Sequence, residues 1–246
     1  MKKNIMCGLL YMFLIFPQIF AQQITDFEWE VYYDYGDPGI IITRYLGTNR
    51  NVAIPDMING IPVRVIGEGV FQGNQLTSIN IPNSIIVIAE FAFNGNQLTS
   101  IGIPNSVVFI GDFAFDGNQL SSIYIPNGVV YIREAAFSNN RLKDITIPDS
   151  VTAIGSGAFS DNQLTSITIP SSVTHIGHSV FIGNPVTNVI VGENIMALDP
   201  DYPRIANQKL GIFGIDISFE QAYISAGRLA GIYTRPNVEG TIWIRQ

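Results

Sequence analysis

Residues 73–84 read GNQLTSINIPNS, residues 95–106 read GNQLTSIGIPNS and residues 117–128 read GNQLSSIYIPNG. The copies stand 22 residues apart, and a fixed period of that size is the mark of stacked structural repeats. The period extends in both directions. Ile-Pro pairs begin at Ile54, Ile81, Ile103, Ile125, Ile147 and Ile169, and Val191 stands where the next isoleucine would fall. The first step is 27 residues, its five extra residues lying around NGIPV (Asn59 to Val63), which predicts a turn-like insertion in a loop of the array.

Numbered from its isoleucine, the unit is I-P-N-S-V-x-x-I-G-x-x-A-F-x-G-N-Q-L-T-S-I-x, apolar at positions 1, 5, 8, 12, 13, 18 and 21. Positions 20 to 2 alternate, as in Ser100, Ile101, Gly102 and Ile103, which predicts a strand with one buried face. The proline at position 2 ends it, because it has no N–H to give to a ladder. A second extended piece is predicted at positions 5 to 8, and a short helical or 3₁₀ turn at positions 10 to 15. No single unit can enclose a core, but stacked copies can. Position 13 holds Phe71, Phe93, Phe115, Phe137, Phe159 and Phe181, a packing spine. Position 16 holds Asn74, Asn96, Asn118, Asn140, Asn162 and Asn184; asparagine bonds nearby peptide groups and so supports the loops.

The segment LTSIGIPNSV (Leu98 to Val107) resembles the leucine-rich repeat core, with serine where that repeat usually has Asn or Cys, and IGDFAF (Ile110 to Phe115) resembles its BspA-like class. The resemblance implies a mainly β fold: an arc-shaped, right-handed leucine-rich-repeat solenoid with a parallel inner sheet, closed by N- and C-terminal caps. Six units would stand roughly 29 Å tall at the usual strand spacing.

The expected organisation is a signal peptide over residues 1–21, an N-terminal cap hairpin over 22–53, six repeats over 54–191 and a C-terminal cap over 192–246. The start, MKKNIMCGLLYMFLIFPQIFAQQ, has two lysines, a long apolar run and a small residue at Ala21, the layout of a secretory signal. Cys7 would leave with it, so the mature chain has no cysteine for a disulfide or a metal site. In DFEWEVYYDYGDPGIIITRY (Asp26 to Tyr45) the alternating Phe27, Trp29, Val31 and Tyr33, the turn GDPG and the strand IIITRY predict a hairpin over the first repeat. At the other end SFEQAY (Ser218 to Tyr223) opens like a short helix, and AGIYTR and TIWIRQ could pair across PNVEG.

Composition excludes several function classes. Without Lys2 and Lys3 the chain carries 11 basic against 20 acidic residues, a net charge of −9 that would repel a phosphate backbone. No nucleic acid is expected as a partner. No stretch after the signal has the roughly 18 uninterrupted apolar residues of a transmembrane helix. The two histidines, His175 and His178, sit in one unit with no third metal ligand in view, and read as drift within the repeat. Position 10 forms an acidic column, Glu68, Glu90, Asp112 and Glu134, giving way to Ser156 and His178; a calcium ion between its members is the alternative to a solvated edge. No catalytic residue, cofactor or metal is expected: GSG at Gly155 to Gly157 is not a nucleophile elbow, and nothing selects a carboxylate pair.

What remains is a binding surface. Positions 20 and 22 form a hydroxyl-rich, nearly uncharged stripe running from Ser78 and Asn80 to Asn188 and Ile190. The unit NNRLKDITIPD breaks it, placing Arg141, Lys143, Asp144 and Thr146 beside Tyr124, and Tyr and Arg are enriched in interface hot spots. These five are the candidate partner-binding residues. The resemblance implies an exported bacterial protein, secreted or on the cell surface, that binds host matrix proteins or other bacteria. Two alternatives stay open: a carbohydrate-binding module using Tyr124 or the N-terminal aromatics, and a secreted hydrolase using Asp199, Asp201 and Asp216.

Overall fold

The computed structural model of the chain describes residues 24–34, 36–192, 197–198, 231–234 and 244–245. The sequence readings of the signal segment, of the helix at residues 218–223 and of Asp199, Asp201 and Asp216 lie outside the described residues.

Each 22-residue unit makes one turn of a β-solenoid. The outward ladder that runs the length of the array is made of two-residue strands at positions 7 and 8: β7 (Val87–Ile88), β8 (Phe109–Ile110), β9 (Tyr131–Ile132), β10 (Ala153–Ile154) and β12 (His175–Ile176). They pair in parallel, one turn to the next. The ladder begins on β5 (Ile61–Ile66) and ends on β14 (Ala197–Leu198), where His175 pairs with Ala197, again 22 residues on. Position 8 is isoleucine in every unit from Ile66 to Ile176 and is buried throughout.

The strand predicted over positions 20 to 2 forms only at the ends. There β3 (Asn51–Ala53) pairs with β6 (Ser78–Asn80), and β11 (Ser166–Ile169) pairs with β13 (Asn188–Val191). Segments 100–104, 122–126 and 144–148 close no ladder. Proline at position 2 ends the segment in every unit, since it withholds a donor there, in those that form a ladder (Pro55, Pro82 and Pro170) as in those that do not. Where Gly192 takes that position, its N–H donates to the Ile169 carbonyl at 2.8 Å.

No α-helix forms over positions 10 to 15, but the tight turn expected as the alternative does: the Ala114 and Asp116 N–H groups donate to the Gly111 and Phe113 carbonyls three residues back, the 3₁₀ pattern. The N–H groups of Phe113, Phe115 and Gly117 donate to the carbonyls of Glu134, Ala136 and Ser138 one turn on, and the same three bonds recur between other neighbouring turns. An α-helix would need those amides for bonds within the segment. Two residues per turn are left-handed instead. Position 11 has φ of 55° at Phe91, 56° at Phe113 and 48° at Ala135; position 15 has 68° at Gly117 and 51° at both Asn139 and Asp161. Glycine and asparagine at position 15 fit that conformation, which most side chains resist.

Between these ladders lies the core. Phe71, Phe93, Phe115, Phe137, Phe159 and Phe181 are all fully buried, and successive rings stack 5.3 to 5.8 Å apart within 11° of parallel. The asparagine column beside them is buried from Asn96 onward. Asn118 Nδ2 donates to the Phe93 and Phe115 carbonyls, and its Oδ1 accepts the Leu98 N–H at 3.2 Å. Each such amide closes the loop of one turn against the next. The buried N–H groups that would cost most if unpaired are those it satisfies.

Hairpins lie at both ends of the array. β1 (Phe27–Asp34) pairs antiparallel with β2 (Asp37–Tyr45), and β2 pairs in parallel with β5. Asp34 pairs with Asp37, so the chain reverses between them, and of GDPG only Gly36 lies in the turn. Phe27 and Tyr45 set their rings 6.4 and 5.3 Å from Phe71, covering the open end of the spine. The insertion at NGIPV is itself a small hairpin, β4 (Met57–Ile58) against β5, turned by Asn59 and Gly60 at φ 52° and 80°. That is the two-residue turn which suits the twist of paired strands. At the far end β15 (Gly231–Thr234) pairs antiparallel with β13 and with β16 (Ile244–Arg245). It buries Tyr233 completely, and burial holds that phenol above its ordinary pKa, with Arg245 pulling the other way.

Candidate functional site

The five candidate residues share the stripe of positions 17 to 22. Tyr124 and Thr146 occupy position 22 of adjacent turns and are exposed, as are Arg141, Lys143 and Asp144 in the same turn as Thr146. Position 21, between the outward residues, turns inward: Ile101, Ile123 and Ile145 pack on the core. Alternation therefore holds here even where the ladder is broken. Tyr124 leans back across the stripe and donates its hydroxyl to Asn105 Oδ1 at 3.3 Å. Arg141, Lys143 and Asp144 make no ion pair or side-chain hydrogen bond among the described residues, so their charges face solvent.

A second feature lies on the other sheet and has no counterpart in the sequence reading. A groove of about 630 Å³ opens over β9, β10 and β12. Ala153 and Gly155 form its floor, Tyr131 and Arg133 one wall, and His175 the other. Arg133 is held by Asp112, with Nε 3.1 Å from Oδ1, and Asp112 also accepts the Glu134 N–H at 3.0 Å. The same guanidinium lies 6.0 Å from the centre of the Phe109 ring. The signal that could have found the groove is a run of small residues, Ala153, Gly155 and Ser156, at positions that the preceding turn fills with Tyr131, Arg133 and Glu134.

The remaining sequence candidates separate. His175 is exposed on β12 with Nδ1 2.9 Å from Thr174 Oγ1, whereas the His178 backbone N–H donates to Ser156 Oγ in the preceding turn. Asp112, from the acidic column, is engaged with Arg133. Among the described residues no three of His, Cys, Asp and Glu converge on a common point, and no helix is long and apolar enough to cross a membrane.

The family model for the BspA type leucine rich repeat region matches six times, over residues 64–187. The chain belongs to this family. The BspA-type repeats account for the 22-residue turns, the phenylalanine spine and the asparagine column described above. A leucine-rich repeat protein of T. pallidum, known from its crystal structure, is 26% identical with a TM-score of 0.65, over 84% of this chain and 95% of that one. A leucine-rich repeat protein from Bacteroides ovatus is 22% identical with a TM-score of 0.34, over 73% of this chain and 70% of that one. The pneumococcal vaccine antigen PcpA is 18% identical with a TM-score of 0.45, over 71% of this chain and 50% of that one. No curated protein matches. BspA-type solenoids present repeated surfaces, and this one carries a surface fit for binding.

Proposed function

We propose that the chain is an exported bacterial surface or secreted protein whose solenoid binds other proteins, mediating adhesion to host matrix proteins or to other bacteria. The observation that carries this reading is the fourth-unit break. On a stripe of exposed hydroxyl and amide side chains, Arg141, Lys143 and Asp144 bring unpaired charge beside the half-exposed ring of Tyr124. A rigid aromatic next to free charges is the composition of an interface hot spot. The stripe stands on a stacked, fully packed core, so little ordering would be needed on binding. The repeat family supports a binding scaffold in preference to an enzyme, and the lysine-led apolar start of the chain supports export.

The test is binding of the purified chain to arrayed matrix proteins and to bacterial surface extracts, alongside the double variant Tyr124→Ala/Lys143→Ala. Saturable binding that weakens at least tenfold in the variant is the expected result. Binding that the double change leaves untouched moves the interface elsewhere.

A further inference from the structure

We infer that the groove over β9, β10 and β12 is a saccharide site, taking one neutral pyranose ring between Tyr131 and His175. The argument begins with the row of outward residues at position 7: Phe109, Tyr131, Ala153 and His175. Ala153 is in register with Tyr131 on one side and with His175 on the other. Rings stack on successive turns at positions 11 and 13, at 5.0 Å for Phe91 and Phe113 and at up to 5.8 Å along the spine, whereas Phe109 and Tyr131 at position 7 do not stack and leave the Tyr131 ring free. The row at position 7 therefore sets two exposed rings, Tyr131 and His175, on either side of Ala153. Two turns separate the flanking rings by roughly 10 Å at the usual strand spacing, which leaves room for one more ring between them. At position 9 Gly155 and Gly177 add no side chain to the groove, because a Cβ on either would meet the backbone of the turn before, at 2.6 and 2.4 Å. A cavity of about 630 Å³ falls within the size range of small-molecule sites.

The polar groups around the slot select the kind of ring. Tyr131 is 53% exposed and offers a face for stacking. Arg133 and Glu134 stand beside it, both exposed, with Asp112 fixing the guanidinium. An aromatic side chain from a protein partner would cover those charged groups and return no hydrogen bond, which costs free energy. A sugar lays its C–H face on Tyr131 and replaces the displaced water with its own hydroxyls. Arg133 and Asp112 cancel each other's charge, so Glu134 leaves the groove slightly acidic and unfavourable to a sialic or uronic acid. This inference is independent of the protein-binding stripe, which lies on the other sheet.

The experiment is titration of the full chain with maltotriose, cellotriose and chitotriose, followed by saturation-transfer NMR and calorimetry. At least one trisaccharide is expected to saturate, with a Kd of about 1 mM as for a single small ring site. Ala153→Phe fills the slot between Tyr131 and His175 from within and should abolish that binding; the substitution places at position 7 the residue that Phe109 supplies two turns earlier. Tyr131→Ala, at an exposed position that the core does not need, should weaken binding at least tenfold, while Tyr124→Ala leaves it unchanged. The inference is overturned if none of the three saturates by about 20 mM, a concentration well above any specific site's Kd. It is equally overturned if binding survives both Ala153→Phe and Tyr131→Ala, or if N-acetyltyrosinamide occupies the groove in preference to every sugar.

Discussion

The backbone N–H of Leu120 is satisfied by a side chain from the following turn, the Oδ1 of Asn140, 3.0 Å away. The same asparagine donates its Nδ2 to the carbonyls of Phe115, Phe137 and Ser138. Asn140→Ala therefore orphans a buried amide and should cost about 1–3 kcal/mol in urea unfolding. Asn74 provides the control. It is exposed in the first unit, with a long 3.5 Å bond to the Val70 carbonyl, so Asn74→Ala should cost under about 0.5 kcal/mol. Equal costs for the two would mean that the column does not close the turns.

Phe137 has a ring above and a ring below, at 5.5 and 5.7 Å, and no exposure. Phe137→Ala empties that place between two turns that cannot collapse towards each other. A loss of about 3–5 kcal/mol is expected, read as a lower urea midpoint. A loss below about 1 kcal/mol would refute the spine.

Gly117 sits at φ 68°, and a Cβ there would meet Gly95 Cα at 3.5 Å, an ordinary contact. Backbone conformation, not space, is the constraint. Gly117→Asn should be tolerated, because Asn139 holds the equivalent place one turn on at φ 51°. Gly117→Val should cost about 1–2 kcal/mol more, the penalty of a branched residue in the left-handed region. Thermal melts of the pair, compared directly, decide it.

Tyr233 is buried under β13, and burial raises its pKa above the ordinary phenol value of 10.0. A raised folded pKa means that the native state keeps its proton while the unfolded chain sheds it. The stability this contributes is complete below about pH 10 and is lost as pH rises through the folded pKa. Tyr233→Phe should flatten the alkaline limb of a stability–pH profile. An unchanged limb above pH 10 in the variant would show that the phenol ionises equally in both states.

The parts of the fold that were legible in the sequence are those in which one position does the same work in every turn. Phe115 and Phe137 could be read as a spine because identical side chains at a fixed period must stack, and Asn118 and Asn140 as loop supports for the same reason. The ladder was harder to place. Alternation at Ser100 to Ile103 correctly gave which residues face inward, but pairing depends on where amides and carbonyls of neighbouring turns meet, which alternation does not fix. Asp112 to Gly117 is legible as a tight turn but not as to which of the two kinds, because apolar spacing says nothing about where an amide points, and here alternate amides make 3₁₀-type bonds while the others point along the solenoid axis. The stripe holding Tyr124 and Lys143 was visible as a break in pattern. The groove at Ala153 was not, since a missing side chain becomes a feature only once register sets Tyr131 and His175 on either side of it.

Every buried asparagine of the column acts on the turn before its own, so a turn is complete only when its successor is in place. The array consequently has a mechanical sense. Gripped by its two ends and pulled, it should yield from the C-terminal side once β15 is detached, because the last turn is the one that no later asparagine holds. Each turn that peels away would release 22 residues, roughly 75 Å of contour length. The turn beneath then becomes the unsupported one, and the chain would pay out under load in equal steps, a sawtooth of nearly uniform spacing, instead of parting all at once.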